Sequence, residues 1–264
     1  MGGNDQKMEI VREMKSYENL PQAEIFLEAE KILGFAKERN ITLRLLGGVG
    51  VWFAAPSASK MGYSRKYNDI DFVGFRKQTG QIEKLFKDMG YKPRELFNKL
   101  QGDARLMFMN HDNGRRIDIF LDKFVMCHEF DMRDRLELSE RSLPPADLLL
   151  TKLQIIEINK KDIIDSVALL VDLPVSDKHS EIEKERIVCF TSSDWGIYKT
   201  ISMNLEKIKT IMPELALPEK ESDIILERIN DLSKTIEERS KTLGWKMRAK
   251  VGEKVKWYEL PEPT

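Results

Sequence analysis

Residues 45–75 read LLGGVGVWFAAPSASKMGYSRKYNDIDFVGF. The stretch opens as an apolar strand running into Gly47-Gly48 and closes on Asp69-Ile70-Asp71-Phe72. Side chains in a strand alternate between faces, so Asp69 and Asp71 point one way and Ile70 and Phe72 the other. Two acids side by side on one face repel each other unless a cation stands between them. Hard divalent cations such as Mg²⁺ are held by one or two carboxylates together with substrate phosphates. The double glycine, which allows close backbone approach, pairs that acid site with a phosphate-approach loop. The plain alternative is a solvated sheet edge.

A third acid lies downstream, in residues 104–121, ARLMFMNHDNGRRIDIFL. Asn113-Gly114 predicts a two-residue hairpin turn, because a type I′ turn needs positive φ at both central positions. In the second arm, Ile117, Ile119 and Leu121 share one face, and Arg116, Asp118 and Phe120 the other. Asp118 is then an acid in a strand that otherwise reads as sheet core. Either it joins Asp69 and Asp71 at a metal site, or it pairs with Arg115 or Arg116. Three carboxylates on neighbouring strands could hold two metal ions for a phosphoryl displacement.

Gly47-Gly48, Asp69-Ile70-Asp71 and Ile117-Asp118-Ile119, in that order and with those apolar flanks, resemble the signature of the DNA polymerase β-type nucleotidyltransferase superfamily. The resemblance implies that the double glycine opens a short helix beside a nucleoside triphosphate. It implies that Asp69 and Asp71 bind Mg²⁺, two ions in all, and that Asp118 ligates metal and helps activate an acceptor hydroxyl. The interval from Gly48 to Asp69, residues 49–68, is longer than the family's usual one. We read Pro56 to Tyr63, rich in Ser, Gly, Pro and Ala, as a loop insertion. Beside it, Arg65 is either a bidentate phosphate clamp or a surface charge.

Composition fits this reading. The chain has 264 residues, 41% hydrophobic and 33% charged, enough for one large or two small domains. A net charge of −1 and a pI near 6.4 give no global pull toward nucleic acid or acidic lipid. No apolar run approaches a membrane span, and MGGNDQKMEI lacks a signal core, so a cytoplasmic protein without membrane partners is expected. Cys127 and Cys189 make no metal cluster or disulfide framework, and His111, His128 and His179 show no zinc spacing.

In chain order, a helix is expected from Asn19-Leu20-Pro21 to Asn40, with Ile25, Phe26, Ala29, Ile32, Leu33 and Ala36 on one face. A strand over Thr42–Leu46 and a short helix over Val49–Ala54 follow. After the acidic strand comes a helix through Ile82, Leu85, Phe86 and Met89, ended by Gly90. Tyr91–Arg94, the hairpin and Phe124–Phe130 then read as strands. The composition shifts at Leu143-Pro144-Pro145, beyond which helices are expected over Ala146–Ile158, Lys161–Val171, Asp194–Ile211 and Glu219–Thr242. The fold class expected is α+β: a nucleotidyltransferase-type mixed sheet with flanking helices over residues 1–142, then an all-helical domain over 143–264, with the active site in the cleft between them.

Two stretches in the second half carry charge that needs a reason. Lys152 sits in the apolar run LLLTKLQ, where burial requires a partner. Asp162 and Asp165, three apart, share a helix face. Together they resemble the abortive-infection toxin branch of the superfamily, although Asn159, Lys160 and Lys161 stand where arginines are usual there. That resemblance implies that Lys152 binds nucleotide phosphates while the aspartates support the site. The bland alternative is helix pairing. Residues 241–258, KTLGWKMRAKVGEKVKWY, interleave basic and aromatic residues, either as a single-strand nucleic-acid track or as a solvated face with core anchors. The reaction implied is transfer of a nucleoside monophosphate from an NTP to an acceptor hydroxyl on a small molecule, a tRNA end or a protein. The alternative is a non-catalytic nucleotide- or partner-binding module that keeps the fold.

Overall fold

The alternation in Asp69–Phe72 and Arg116–Leu121 gives the sheet one apolar face and one mixed face, and helices cover both. In a computed structural model the described residues are 23–60 and 66–260. Helix α1 (Ala23–Glu38) turns Ile25, Phe26, Ala29, Ile32 and Ala36 inward and ends at Asn40, whose φ is +56°. Its expected start at Asn19–Pro21 lies outside the described residues. Strand β1 (Leu43–Leu46) runs directly into α2 (Gly47–Ala54). A 3₁₀ turn over Pro56–Ser59 follows, and Asp172 pins it by accepting from the Ser57 N–H and hydroxyl, both at 2.6 Å.

Then come β2 (Asp69–Gly74), α3 (Thr79–Asp88), β3 (Lys92–Pro93), α4 (Glu95–Gln101), β4 (Arg105–Met109) and β5 (Arg116–Leu121). They form a five-stranded sheet of order β1-β2-β5-β4-β3. All neighbours are antiparallel except β2 and β5, which are parallel. Gly90, at φ +86°, ends the α3 region as expected.

Three expectations need correction. The β4–β5 hairpin exists, but Asn113-Gly114 is not its two-residue turn. The connection closes with the Asn110 N–H on the Arg115 carbonyl, and the Asn110 and Asn113 side chains accept from the N–H groups of Asp112 and Arg115. Only Gly114 has positive φ, so asparagine-centred turns replaced the type I′ geometry. The strand expected over Phe124–Phe130 is a small hairpin, β6 (Lys123–Val125) with β7 (Glu129–Asp131), because the chain reverses at Met126–His128. The helix expected over Ala146–Ile158 is α5 (Pro145–Leu153) alone. Its β-branched continuation Ile155-Ile156 leaves the helix, and Asn159 caps the next one, α6 (Lys160–Asp172), with its side chain.

The chain continues through β8 (Val175–Ser176), β9 (Ile182–Glu183), α7 (Lys184–Ser193), α8 (Trp195–Ile211), α9 (Glu219–Glu238) and α10 (Leu243–Val251). The parallel β8–β9 pair means that the region beyond residue 143 is largely, not wholly, helical. The two sheet faces have separate cores. Leu45, Ile70, Phe72, Ile117 and Ile119 pack with α1 and α3. On the other face Leu46, Val73 and Phe120 join one cluster with α2, α5, α6, α7, α8 and α9. Ser142 bridges alongside β1 at Leu45, so the Leu143-Pro144 junction is anchored to the sheet. No helix among the described residues is long and apolar enough to cross a membrane.

Candidate active site

The parallel register of β2 and β5 sets Asp71 beside Asp118 and Asp69 beside Arg116. With period-two alternation all four side chains lie on the sheet face covered by the second half of the chain. Carboxylate oxygens of Asp69, Asp71 and Asp118 lie within 4.8 Å of one another. The β1–α2 junction comes against this cluster, since Leu46 is the register partner of Asp71 on the other side. Gly47, at φ +63°, has no room for a side chain: a Cβ there would stand 2.1 Å from Asp71 Oδ2. Both the left-handed backbone and the contact demand glycine.

The electrostatics are uneven. Asp118 is fully buried. Arg105 Nη2 stands 2.8 Å from its Oδ1, and Arg116 Nε stands 3.1 Å from Oδ2. That second approach is off the hydrogen-bond axis, so the buried Oδ2 has no hydrogen bond among the described residues. Burial raises the Asp118 carboxyl above its ordinary value despite the two guanidiniums. Asp69, partly exposed, is 2.6 Å from Arg116 Nη2. Asp71 makes no ion pair and no side-chain hydrogen bond among the described residues. Burial, and then the carboxylates of Asp69 and Asp118, push its carboxyl up to about 7, against the pull of Lys152 and Arg105. An acid trio with an orphaned oxygen and a member that makes no ion pair among the described residues matches an oxygen-seeking divalent cation.

Asp69 and Asp71 open onto a polar cavity of about 210 Å³, whereas Asp118 is buried and outside its lining. Gly48, Lys66, Asn68, Asp69 and Asp71 line one side, and Lys152 of α5 with Asn159, Lys161 and Asp162 at the start of α6 line the other. Lys152 is buried and reaches Asp165 Oδ2 at 2.8 Å and Asp162 Oδ1 at 3.1 Å. Its ammonium is therefore held by the two aspartates at the wall of the acid cavity. Asn159 Oδ1 accepts from the N–H groups of Lys161 and Asp162, which fixes the end of α6 that faces the cavity. Arg65 lies outside the described residues.

Sequence reasoning missed Lys66, Asn68 and Lys161 as lining residues, and Arg105 as a partner of Asp118. The strand register would have named Arg116 as the neighbour of Asp69, but register is a tertiary fact. The basic C-terminal stretch goes elsewhere. None of its residues lines the acid cavity. Trp257 packs edge-on against Trp195, Trp245 against Tyr198, and Arg248 donates to the carbonyls of Gly252 and Val255.

Comparison with protein-family models and with curated proteins gives no match. Among solved structures the chain is similar to the solution structure of the antibiotic-resistance factor ANT(2'')-Ia, with a TM-score of 0.40 and 15% identity over 56% of this chain and 83% of that one. A likeness at that level carries no argument about activity, so the functional reading rests on the geometry above.

Proposed function

We propose that the chain is a metal-dependent nucleotidyltransferase that moves a nucleoside monophosphate from an NTP to an acceptor hydroxyl and releases pyrophosphate. The observation that carries this reading is the convergence of Asp69, Asp71 and Asp118 within 4.8 Å, with Asp69 and Asp71 lining a cavity that Lys66, Lys152 and Lys161 also line. Acids that repel one another beside a cluster of ammonium groups suit a magnesium nucleotide, which brings both the cation and the anion. A divalent cation held by the three acids would supply charge neutralisation at the transferring phosphate.

The chain's own residues do the rest. The lysines offset charge developing on the pyrophosphate, and Asp162 and Asp165 keep the Lys152 ammonium at the wall. Gly47 and Gly48 let the backbone of α2 approach the phosphates. Asp118 accepts the proton of the acceptor hydroxyl, directly or through solvent. Catalysis of this kind is positioning and electrostatics. The test is pyrophosphate release from each NTP with Mg²⁺ and cell lysate as the acceptor source, with Lys152→Ala as a parallel sample. Turnover that is lost with EDTA and reduced in the variant is expected. Nucleotide binding without turnover on any acceptor would instead favour the binding module, the reading to which the Arg116 contacts with Asp69 and Asp118 lend weight.

A further inference from the structure

Arg116 stands where a cation is expected. It lies two residues before Asp118 on β5 and opposite Asp69 on β2. Its Nη2 is 2.6 Å from Asp69 Oδ2 and its Nε is 3.1 Å from Asp118 Oδ2, so one guanidinium spans two members of the acid trio. Arg105 differs. It approaches Asp118 Oδ1 with Nη2 at 2.8 Å and Nε at 3.1 Å, and touches no other acid of the trio. Its guanidinium is held over the rings of Phe120, at 4.8 Å, and Phe97, at 5.7 Å. Arg105 is fixed by stacking, whereas Arg116 is the more exposed of the two, 29% against 18%, and has no ring packed on it among the described residues.

We propose that Arg116 is a displaceable counter-ion of the metal site. It neutralises Asp69 and Asp118 until a divalent cation arrives, and it competes with the cation for both carboxylates. A guanidinium and a cation drawn to the same carboxylates repel each other, most strongly where water is excluded. The guanidinium's bond to Asp69 Oδ2 is directional as well, and the ion has to replace it. The site is therefore weak for free metal by construction. This inference rests on the cation-binding part of the proposed function and concerns affinity, not turnover.

The experiment is a titration of the full chain with Mn²⁺ alone, following free ion by electron paramagnetic resonance. The proteins are the unaltered chain, Arg116→Gln, Arg105→Gln and Asp71→Asn, each checked for folding by thermal melt. Arg116→Gln is expected to bind Mn²⁺ about tenfold more tightly, or about 1.4 kcal/mol. Arg105→Gln removes the same charge from beside one acid and breaks no bridge, and should shift affinity by less than about threefold. Asp71→Asn should lose binding. If Arg116→Gln does not fold, Arg116→Lys keeps the charge, cannot span both acids and should show a smaller tightening. Equal shifts in the two arginine variants, or weaker binding in Arg116→Gln, overturn the inference while leaving the metal site intact. Absence of Mn²⁺ binding in both the unaltered chain and Arg116→Gln overturns the metal site and this inference with it.

Discussion

Two of the clusters that set carboxylates against arginines are built on opposite principles. In the first, Asp147 is fully buried and accepts from Arg135 Nε and Arg186 Nε, both at 2.7 Å. Arg135 also reaches Glu183 at 2.6 Å, and Glu183 takes His179 Nδ1 at 2.8 Å. Every acid there has a cation on it, and the network ties the segment after β7 to α5, β9 and α7. In the second, Asp71 makes no ion pair among the described residues, and burial with the carboxylates of Asp69 and Asp118 raises its proton affinity. A buried ion group kept for structure satisfies its members, because an unpaired buried charge is costly. A group that leaves one acid unpaired keeps a deficit for a ligand to fill.

That contrast can be broken experimentally. The largest effect belongs to the balanced network. Asp147→Ala leaves two guanidiniums uncompensated and should destabilise the protein by about 3–5 kcal/mol in urea unfolding. Next is Asp71→Asn, which should cut NTP turnover by about 10²–10³-fold, yet leave the melting temperature unchanged or raised, since it removes a repelling charge. A marked loss of stability in Asp71→Asn would place this acid among the structural ones.

A smaller effect is pH-dependent. Burial alone would raise the Glu183 carboxyl, but hydrogen bonds from His179 and Arg135 hold it below the ordinary glutamate value. A depressed folded value means that the unfolded chain binds the proton more readily. The stabilisation is therefore present above about pH 4.5 and is lost as pH falls through the folded value. Glu183→Gln should flatten the melting-temperature curve in that acid range. The smallest effect is expected of Lys246→Gln with Lys250→Gln in the exposed part of α10. Magnesium-nucleotide affinity, read by thermal shift, should change by less than about twofold, since neither residue lines the cavity and exposed charges at a distance are screened.

How much of this could be read from the letters follows from the range of the physics involved. Alternation in Asp69–Phe72 and Arg116–Leu121 is local, and it set Ile70, Phe72, Ile117 and Ile119 in one core and the acids on the opposite face. Gly90 and the Pro144 junction are local too. The pairing of Asp71 with Asp118 depends on parallel register, which residues 75–115 determine only as a folded whole. The two-residue turn failed because Asn110 and Asn113 offered side-chain turns that compete with the backbone choice. Helix α4 was missed because its apolar positions are exposed, Leu96 at 73% and Leu100 at 71%, so no buried periodicity marks it. The lysines of the cavity come from three separate segments, and nothing in their spacing brings them together.

The one parallel pairing in the sheet also fixes when the site comes into existence. An antiparallel pair can close through a short turn, but β2 and β5 are separated along the chain by α3, β3, α4 and β4. Asp71 and Asp118 are thus strangers along the chain until that long excursion has closed, a slow kind of contact to make. Lys152 and Lys161 are made later still on the ribosome, after Asp118. A nascent chain that ends before Asp118 therefore carries the first two acids without the third.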